Sequence, residues 1–231
     1  MALLMDINEK RKYHLAELVI AQSIGDPRRV MPQFPSDGRR VLDIGCGAGQ
    51  SLIAARLSLD VLAVGVDKDI EALRIGRELS SRVCFVCSSG ESLPFQDNTF
   101  DFVLSRVALP YMNIPRALDE IARVLIPGGQ IWIVLHSVKM SLRHLLNAVR
   151  SLDLKAAIFQ CYVLIAGSIF HAIGRMIRFP FSSGRYESFQ TRSRIVKALM
   201  TRGFTRIEIP EGRFFVVSGE KRTDLRSERL N

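Results

Sequence analysis

The chain is poor in the residues that build metal and redox sites. Its 231 residues include four cysteines, four histidines and one tryptophan. Cys84 and Cys87 form a CxxC, but no second pair and no histidine cluster completes a zinc site, so no metal is expected. Both lie in "RVCFVCSS", which reads as a buried strand with cysteine as small apolar filler. The opening "MALLMDINEKRKY" becomes charged too early for a secretory signal, and a cytoplasmic location is expected. Internal repeats and low-complexity tracts are missing too. So is any block of consecutive Lys or Arg, or a basic patch interleaved with aromatics. The net charge of +9, from 32 basic and 23 acidic residues, therefore argues for a solvated surface rather than nucleic acid. An anionic membrane surface or an acidic substrate is the other partner class such a charge can serve.

What is present suits one substantial domain with a real core: 48% hydrophobic and 24% charged residues. We expect a single domain over 1–231, with a helix and a Pro-containing connector in 1–38. From 39 to 137 the chain alternates. "RRVLDIG", "DVLAVGVD", "RVCFVCS", "TFDFVLS" and "QIWIVLHS" read as strands; "QSLIAARLS", "DIEALRIGRELSS" and "IPRALDEIARVL" read as helices, the last ended by Pro127-Gly128-Gly129. Such alternation predicts an α/β fold: a doubly wound, Rossmann-like, mostly parallel sheet covered by helices on both faces. Residues 138–190 break the rhythm and read as a helical insertion after the fifth strand. In 191–221 the helix "SRIVKALMTRG", with Gly203 as C-cap, precedes two strands that form an antiparallel hairpin at the sheet edge. Residues 222–231 are expected to fray.

Ligands in such folds bind beyond the carboxyl ends of the strands, where strand order reverses. The stretch "VLDIGCGAGQ" lies there, with glycines at 45, 47 and 49 just after Asp43. Glycine permits positive φ and close backbone approach, which suggests a nucleotide-like ligand. The G-x-G-x-x-G spacing of dinucleotide sites fails because position 50 is Gln, and no Lys follows to make a triphosphate loop.

The remaining pattern, Asp43-x-Gly45-x-Gly47-x-Gly49, resembles the first motif of the class I S-adenosylmethionine-dependent methyltransferases, of the type 11 kind. Further positions agree in order and spacing. Asp67 ends the second strand, where a carboxylate can accept from two ribose hydroxyls. "GESLPFQDNTFDFVLS" resembles the family's acid-bearing loop, Leu-Pro-Phe and fourth strand; "ALDEIARVLIPGGQIWIV" resembles its following helix, turn and fifth strand. The resemblance runs from about 39 to 135 and resumes from about 193 to 221. It implies an enzyme that binds S-adenosylmethionine and releases S-adenosylhomocysteine. It also implies a cofactor site made by Asp43, Gly45, Cys46, Gly47, Gly49, Asp67, Lys68, Ser89, Gly90, Glu91 and Ser105. One departure stands out: where the family usually carries Asp-Ala-Glu, this chain has Ser89-Gly90-Glu91, and a neutral hydroxyl accepts more weakly than a carboxylate.

Methyl transfer from a sulfonium is an in-line displacement in which alignment does most of the work and a base serves some acceptors. His136, at the end of the fifth strand, is the best titratable candidate, with Tyr111 and Arg106 after the fourth strand as acceptor contacts. His171 lies in the insertion, and Tyr13 can close over a cation. Each of these has an ordinary structural alternative.

The acceptor half should lie in the N-terminal helix and in 138–190. There "AAIFQCYVLIAGSIFHAIG" is apolar over a near membrane-spanning length, flanked by Lys155, Arg175 and Arg178. A lid over an apolar pocket, a peripheral membrane contact through 156–178, and a helix that merely completes the core are the three readings. The expected acceptor is a small, apolar or lipid-like molecule. The alternatives are an enzyme acting on RNA or protein, and a non-catalytic cofactor-binding module. Oligomeric state is left open.

Overall fold

The computed structural model describes residues 7–36, 38–180 and 186–223. The insertion's 181–185 and the tail's 224–231 therefore lie outside the described residues. Among the described residues seven strands form one sheet: β1 (Arg40–Ile44), β2 (Leu62–Asp67), β3 (Val83–Cys87), β4 (Phe100–Arg106), β5 (Leu125–Leu135), β6 (Phe204–Glu208) and β7 (Phe215–Lys221). Their order is β3-β2-β1-β4-β5-β7-β6. The first five are parallel, and β7 runs antiparallel between β5 and β6. Strand order reverses between β1 and β4, and that is where a crevice opens in such sheets. Among the described residues the α-helices are α1 (Ile7–Gln22), α2 (Gln50–Ala55), α3 (Ile70–Leu79), α4 (Ile114–Val124), α5 (Val138–Arg150), α6 (Leu154–Ile173) and α7 (Arg192–Met200), with a short 3-10 turn at Leu109–Tyr111.

Alternation along the strands divides the core. Leu42 and Ile44 of β1 join Val64, Val66, Val103, Ile131 and Ile133 on one face, against Ile114, Leu118 and Ile121 of α4 and Ile195 and Leu199 of α7. Val41 joins Phe102, Leu104, Trp132 and Val134 on the other, with Leu52 of α2 and Leu73 of α3. Asp43 and Arg106 fall on this second face by the same period of two.

Local chemistry explains the ends of the helices. Asp69, Asn113, Ser137, Asp153 and Thr191 each accept from an orphan backbone N–H at the start of α3, α4, α5, α6 and α7. Gly174, at φ 73°, ends α6 in the left-handed cap that suits glycine.

Three details depart from the sequence reading. Pro127-Gly128-Gly129 does not merely stop α4: β5 already begins at Leu125 and passes through a register shift against β4 between Phe100 and Phe102, with Gly128 at φ 79°. The cap of α7 is Thr201, and Gly203 (φ 81°) lies two residues beyond it. Cys84 and Cys87 are exposed rather than buried filler, because β3 is the sheet edge: it buries Val83 and Phe85 and partly buries Val86, and leaves both cysteines outside.

The insertion is tied to the rest of the protein by its second helix. Phe170 of α6 is buried within the principal core, and Gly167 packs on the Phe189 ring so closely that a side chain there would overlap it. Tyr162, Val163 and Ala166 form a smaller cluster with Phe159, Ile177 and Phe179. Ser137 and Gln190 pair as an isolated bridge that closes the base of the insertion.

Candidate cofactor and acceptor site

The turn after β1 is hooked onto β2: the N–H groups of Gly45 and Cys46 both donate to the Val66 carbonyl, at 2.8 and 3.0 Å. Gly45 (φ 72°) and Gly49 (φ 75°) adopt backbone conformations that L side chains rarely take. Their bare faces meet protein: a Cβ on Gly45 would overlap Ala108 of the β4–α4 loop, and one on Gly49 would lie 2.8 Å from the Phe85 ring. These glycines thus serve the turn and its packing as well as any ligand.

Asp67 holds this turn. Its Oδ2 accepts from Gly47 N at 2.8 Å and its Oδ1 from Asp69 N at 2.9 Å. Each carboxylate oxygen keeps a second lone pair for a further donor. Asp67 lines a cavity of about 150 Å³ together with Gly45, Lys68, Ser89, Gly90, Glu91, Ala108, Tyr111 and Met112. Glu91 is held there by accepting from Asn113 N at 2.8 Å. Seven of the residues read from sequence are thereby brought round one cavity: Gly45, Asp67, Lys68, Ser89, Gly90, Glu91 and Tyr111. Val107, next to this cavity, sits at φ 63°, an uncommon strain for a β-branched residue at the mouth of the β1–β4 crevice.

The other candidates stand elsewhere. Ser105 is fully buried and donates to the Ile44 carbonyl at 2.8 Å, so it braces β4 against β1 rather than facing the cavity. The Cys46 thiol packs beneath Gly65, and burial pushes its pKa well up. Asp43 is buried, and desolvation raises its pKa to about 7 against the opposing pull of Arg106. Its Oδ1 has no hydrogen-bond partner, which is costly for a carboxylate unless a donor or cation arrives. Arg106 reaches Glu17 of α1 at 3.4 Å.

His136 is buried, and its ring meets the Tyr111 ring edge to face at 5.2 Å. Burial, with His144 acting the same way, lowers its pKa to about 4, so it is uncharged at neutral pH. His171 instead contacts the Thr191 hydroxyl at 2.8 Å, at the start of α7. Tyr13 is half-exposed on α1.

α1 meets the glycine turn through His14 and Lys10, neither of which the sequence singles out. His14 is buried over the glycine turn, with its Nδ1 2.8 Å from Gln50 Nε2, and Lys10 pairs with Asp69 at 2.8 Å. A Cβ on Gly47 would lie 3.2 Å from the His14 ring. The only available signal was a histidine on the apolar side of an amphipathic stretch, which is ordinary in a core. Among the described residues no group of three His, Cys, Asp or Glu could hold a metal.

A mostly parallel sheet with a glycine turn, a carboxylate at the end of β2 and a cavity between them makes a Rossmann-like fold with a site for a nucleoside-type ligand. Residues 42–133 match the family model described as a methyltransferase domain. A solved S-adenosylmethionine-dependent methyltransferase from Methanosarcina mazei shares the fold, with a TM-score of 0.54 and 22% identity, covering 83% of this chain and 95% of that one. Over residues 42–133 the chain is thus similar to the methyltransferase-domain family, and its fold is that of the solved S-adenosylmethionine-dependent methyltransferase. Two curated relatives differ in what their names say they act on. A probable tRNA methyltransferase 9B of Bos taurus is 32% identical over 60% of this chain and 30% of its own length. A demethylmenaquinone methyltransferase of Renibacterium salmoninarum is 38% identical over 41% of this chain and 40% of its own. The chain spans about half the length (51%) of the first curated relatives it matches.

Proposed function

We propose that this chain binds S-adenosylmethionine across the glycine turn and Asp67, and transfers its methyl group to a small, apolar or lipid-like acceptor. The observation that carries the reading is the shared cavity: Asp67, Gly45 and the 89–91 loop meet at the point where strand order reverses. The residues fit the cofactor. Asp67 has lone pairs for two ribose hydroxyls; Ser89 and the backbone of Gly90 offer neutral groups for a purine edge. The orphaned oxygen of buried Asp43 suits a cationic group beside the turn. When bound, S-adenosylmethionine supplies an electrophilic methyl on a sulfonium and leaves as S-adenosylhomocysteine.

The chain's own residues position and screen. Tyr111 forms cavity wall, and the neutral His136 ring backs it edge on. At neutral pH His136 can take up an acceptor's proton without first losing one, but its low pKa makes it a weak base. The reading therefore assigns it first to orienting Tyr111. The apolar α5–α6 insertion begins immediately after His136, and this adjacency supports an apolar acceptor. Methyl transfer to RNA is the second reading, favoured by the tRNA-directed name of one relative.

Titration calorimetry tests the cofactor half. S-adenosylhomocysteine should bind the intact protein, and Asp67→Ala should weaken it tenfold or more through loss of charge-assisted hydrogen bonds. Incubation with methyl-labelled cofactor and fractionated lysate tests the acceptor. Label in the organic-soluble fraction supports the first reading; label confined to RNA or protein rejects it. Tight cofactor binding with no label in any fraction marks a non-catalytic module.

A further inference from the structure

The apolar run read from sequence as a possible membrane contact is half committed to the protein, because α6 turns Tyr162, Val163, Ala166, Gly167 and Phe170 inward. Among the described residues the exposed apolar face lies one helix earlier. On α5, Leu142, Leu146 and Val149 follow at helical spacing and are all exposed. Val138, Lys139, Leu142, Arg143 and Leu146 line a shallow, open and almost wholly apolar hollow. The stripe ends at the α5–α6 turn in Leu152, 90% exposed, and Leu154, 71% exposed. Leu152 sits there at φ 55°, held out by a backbone conformation that a leucine seldom adopts.

Charge on this surface has one sign. Lys139, Arg143 and Arg150 interleave with the leucines, and Lys155 follows the turn. From 138 to 180 the sole acid is Asp153, whose carboxylate is turned to the Ala156 N–H as the cap of α6. We infer that the exposed face of α5 and the α5–α6 turn is a docking surface for an anionic lipid bilayer. Leucines interleaved with long basic side chains are what an interfacial helix needs, the apolar groups entering the acyl boundary while the cations stay at headgroup level. A second copy of the chain suits the face poorly: a two-fold contact would set Lys139, Arg143 and Arg150 against the same residues of the partner. Docking here would bring the bilayer beside Ser137 and His136, at the base of α5. The inference does not rest on methyl transfer, since docking is read without cofactor.

The test is co-sedimentation of the full chain with vesicles of phosphatidylcholine alone or with about a third phosphatidylglycerol. The wild type should bind the anionic vesicles, bind the neutral ones far less, and release as salt is raised. Lys139→Glu with Arg143→Glu should lower anionic-vesicle binding tenfold or more, at about fivefold or more per basic residue. Leu142→Glu with Leu146→Glu should abolish it while calorimetry with S-adenosylhomocysteine stays as in the wild type. Leu146→Trp, a milder change, should be quenched by brominated lipid in the same vesicles. A wild type that ignores anionic vesicles, or a Leu146→Trp protein that binds them without quenching, overturns the inference. So does light scattering in which the wild type is a dimer, the Leu142→Glu, Leu146→Glu protein a monomer, and neither binds vesicles; the face would then join two copies.

Discussion

Phe170→Ala decides whether α6 is a removable lid or part of the core. Phe170 is 1% exposed, lies in the principal cluster with Ile195 and Leu199 of α7, and carries the Arg194 guanidinium at 5.6 Å from its ring centre. Truncating such a phenylalanine removes its transfer free energy and leaves a cavity, at about 3–5 kcal/mol. A chain of this length loses roughly 2–4 °C of melting temperature per kcal/mol, so the midpoint should fall by about 6–20 °C. Ile165 lies on the same helix and is 57% exposed; Ile165→Ala should change stability by less than about 0.5 kcal/mol. Urea unfolding read both by circular dichroism and by fluorescence of Trp132, on β5 in the sheet core, measures the two changes on the whole molecule. If Phe170→Ala costs less than about 1 kcal/mol, or if only circular dichroism registers an early partial transition while Trp132 is unmoved, α6 unfolds as a separate unit and the argument from its burial fails.

Three further outcomes follow from the site. His136, ordinarily near 6.5 and held near 4 by burial, takes up a proton more readily unfolded than folded; stability should therefore fall as pH drops from about 6.5 towards 4, by up to about 3 kcal/mol, and unfolding of His136→Phe across that range should lose this slope. Asp43 has the opposite sign: its raised pKa means the folded state holds the proton more tightly, so stability is lost as pH rises from about 4 to 7. Asp43→Asn should then be the more stable protein at pH 8 by urea midpoint yet bind S-adenosylhomocysteine more weakly by calorimetry, and a less stable variant with unaltered affinity would refute the role given to its unpartnered oxygen. Gly49→Ala should cost about 2 kcal/mol or more in thermal unfolding, from positive φ and the Phe85 ring, whereas Gly25→Ala, with nothing within 4 Å, should be close to neutral.

The part of the candidate site that gathers round the cavity was legible because its sequence pattern is local. A glycine turn is written in consecutive residues, and Asp67 ends a strand whose apolar run is visible. Ser89-Gly90-Glu91 sits in a loop of recognisable order and does reach the cavity. Ser105 was misjudged because a strand alternates sides: its neighbour Arg106 turns towards α1, while Ser105 itself is spent on the Ile44 carbonyl. Cys84 and Cys87 were misjudged because an apolar strand reads alike whether central or at the edge, and only the strand order shows β3 to be the edge. His14 and Gln50 meet across 36 positions, and no periodicity within either helix announces that contact.

The sequence by itself determined the alternation of strands and helices, the place of the glycine turn and the carboxylate after β2, since these depend on residue type and on spacing within one element. Tertiary structure alone decided that α1 closes over the turn through His14, that Asp43 is left with an unpartnered oxygen, and that Phe170 anchors the insertion while α5 keeps its leucines outside. The reason is physical: helical and strand periods say which side chains share a face, but what that face meets is set by packing between segments far apart in the chain.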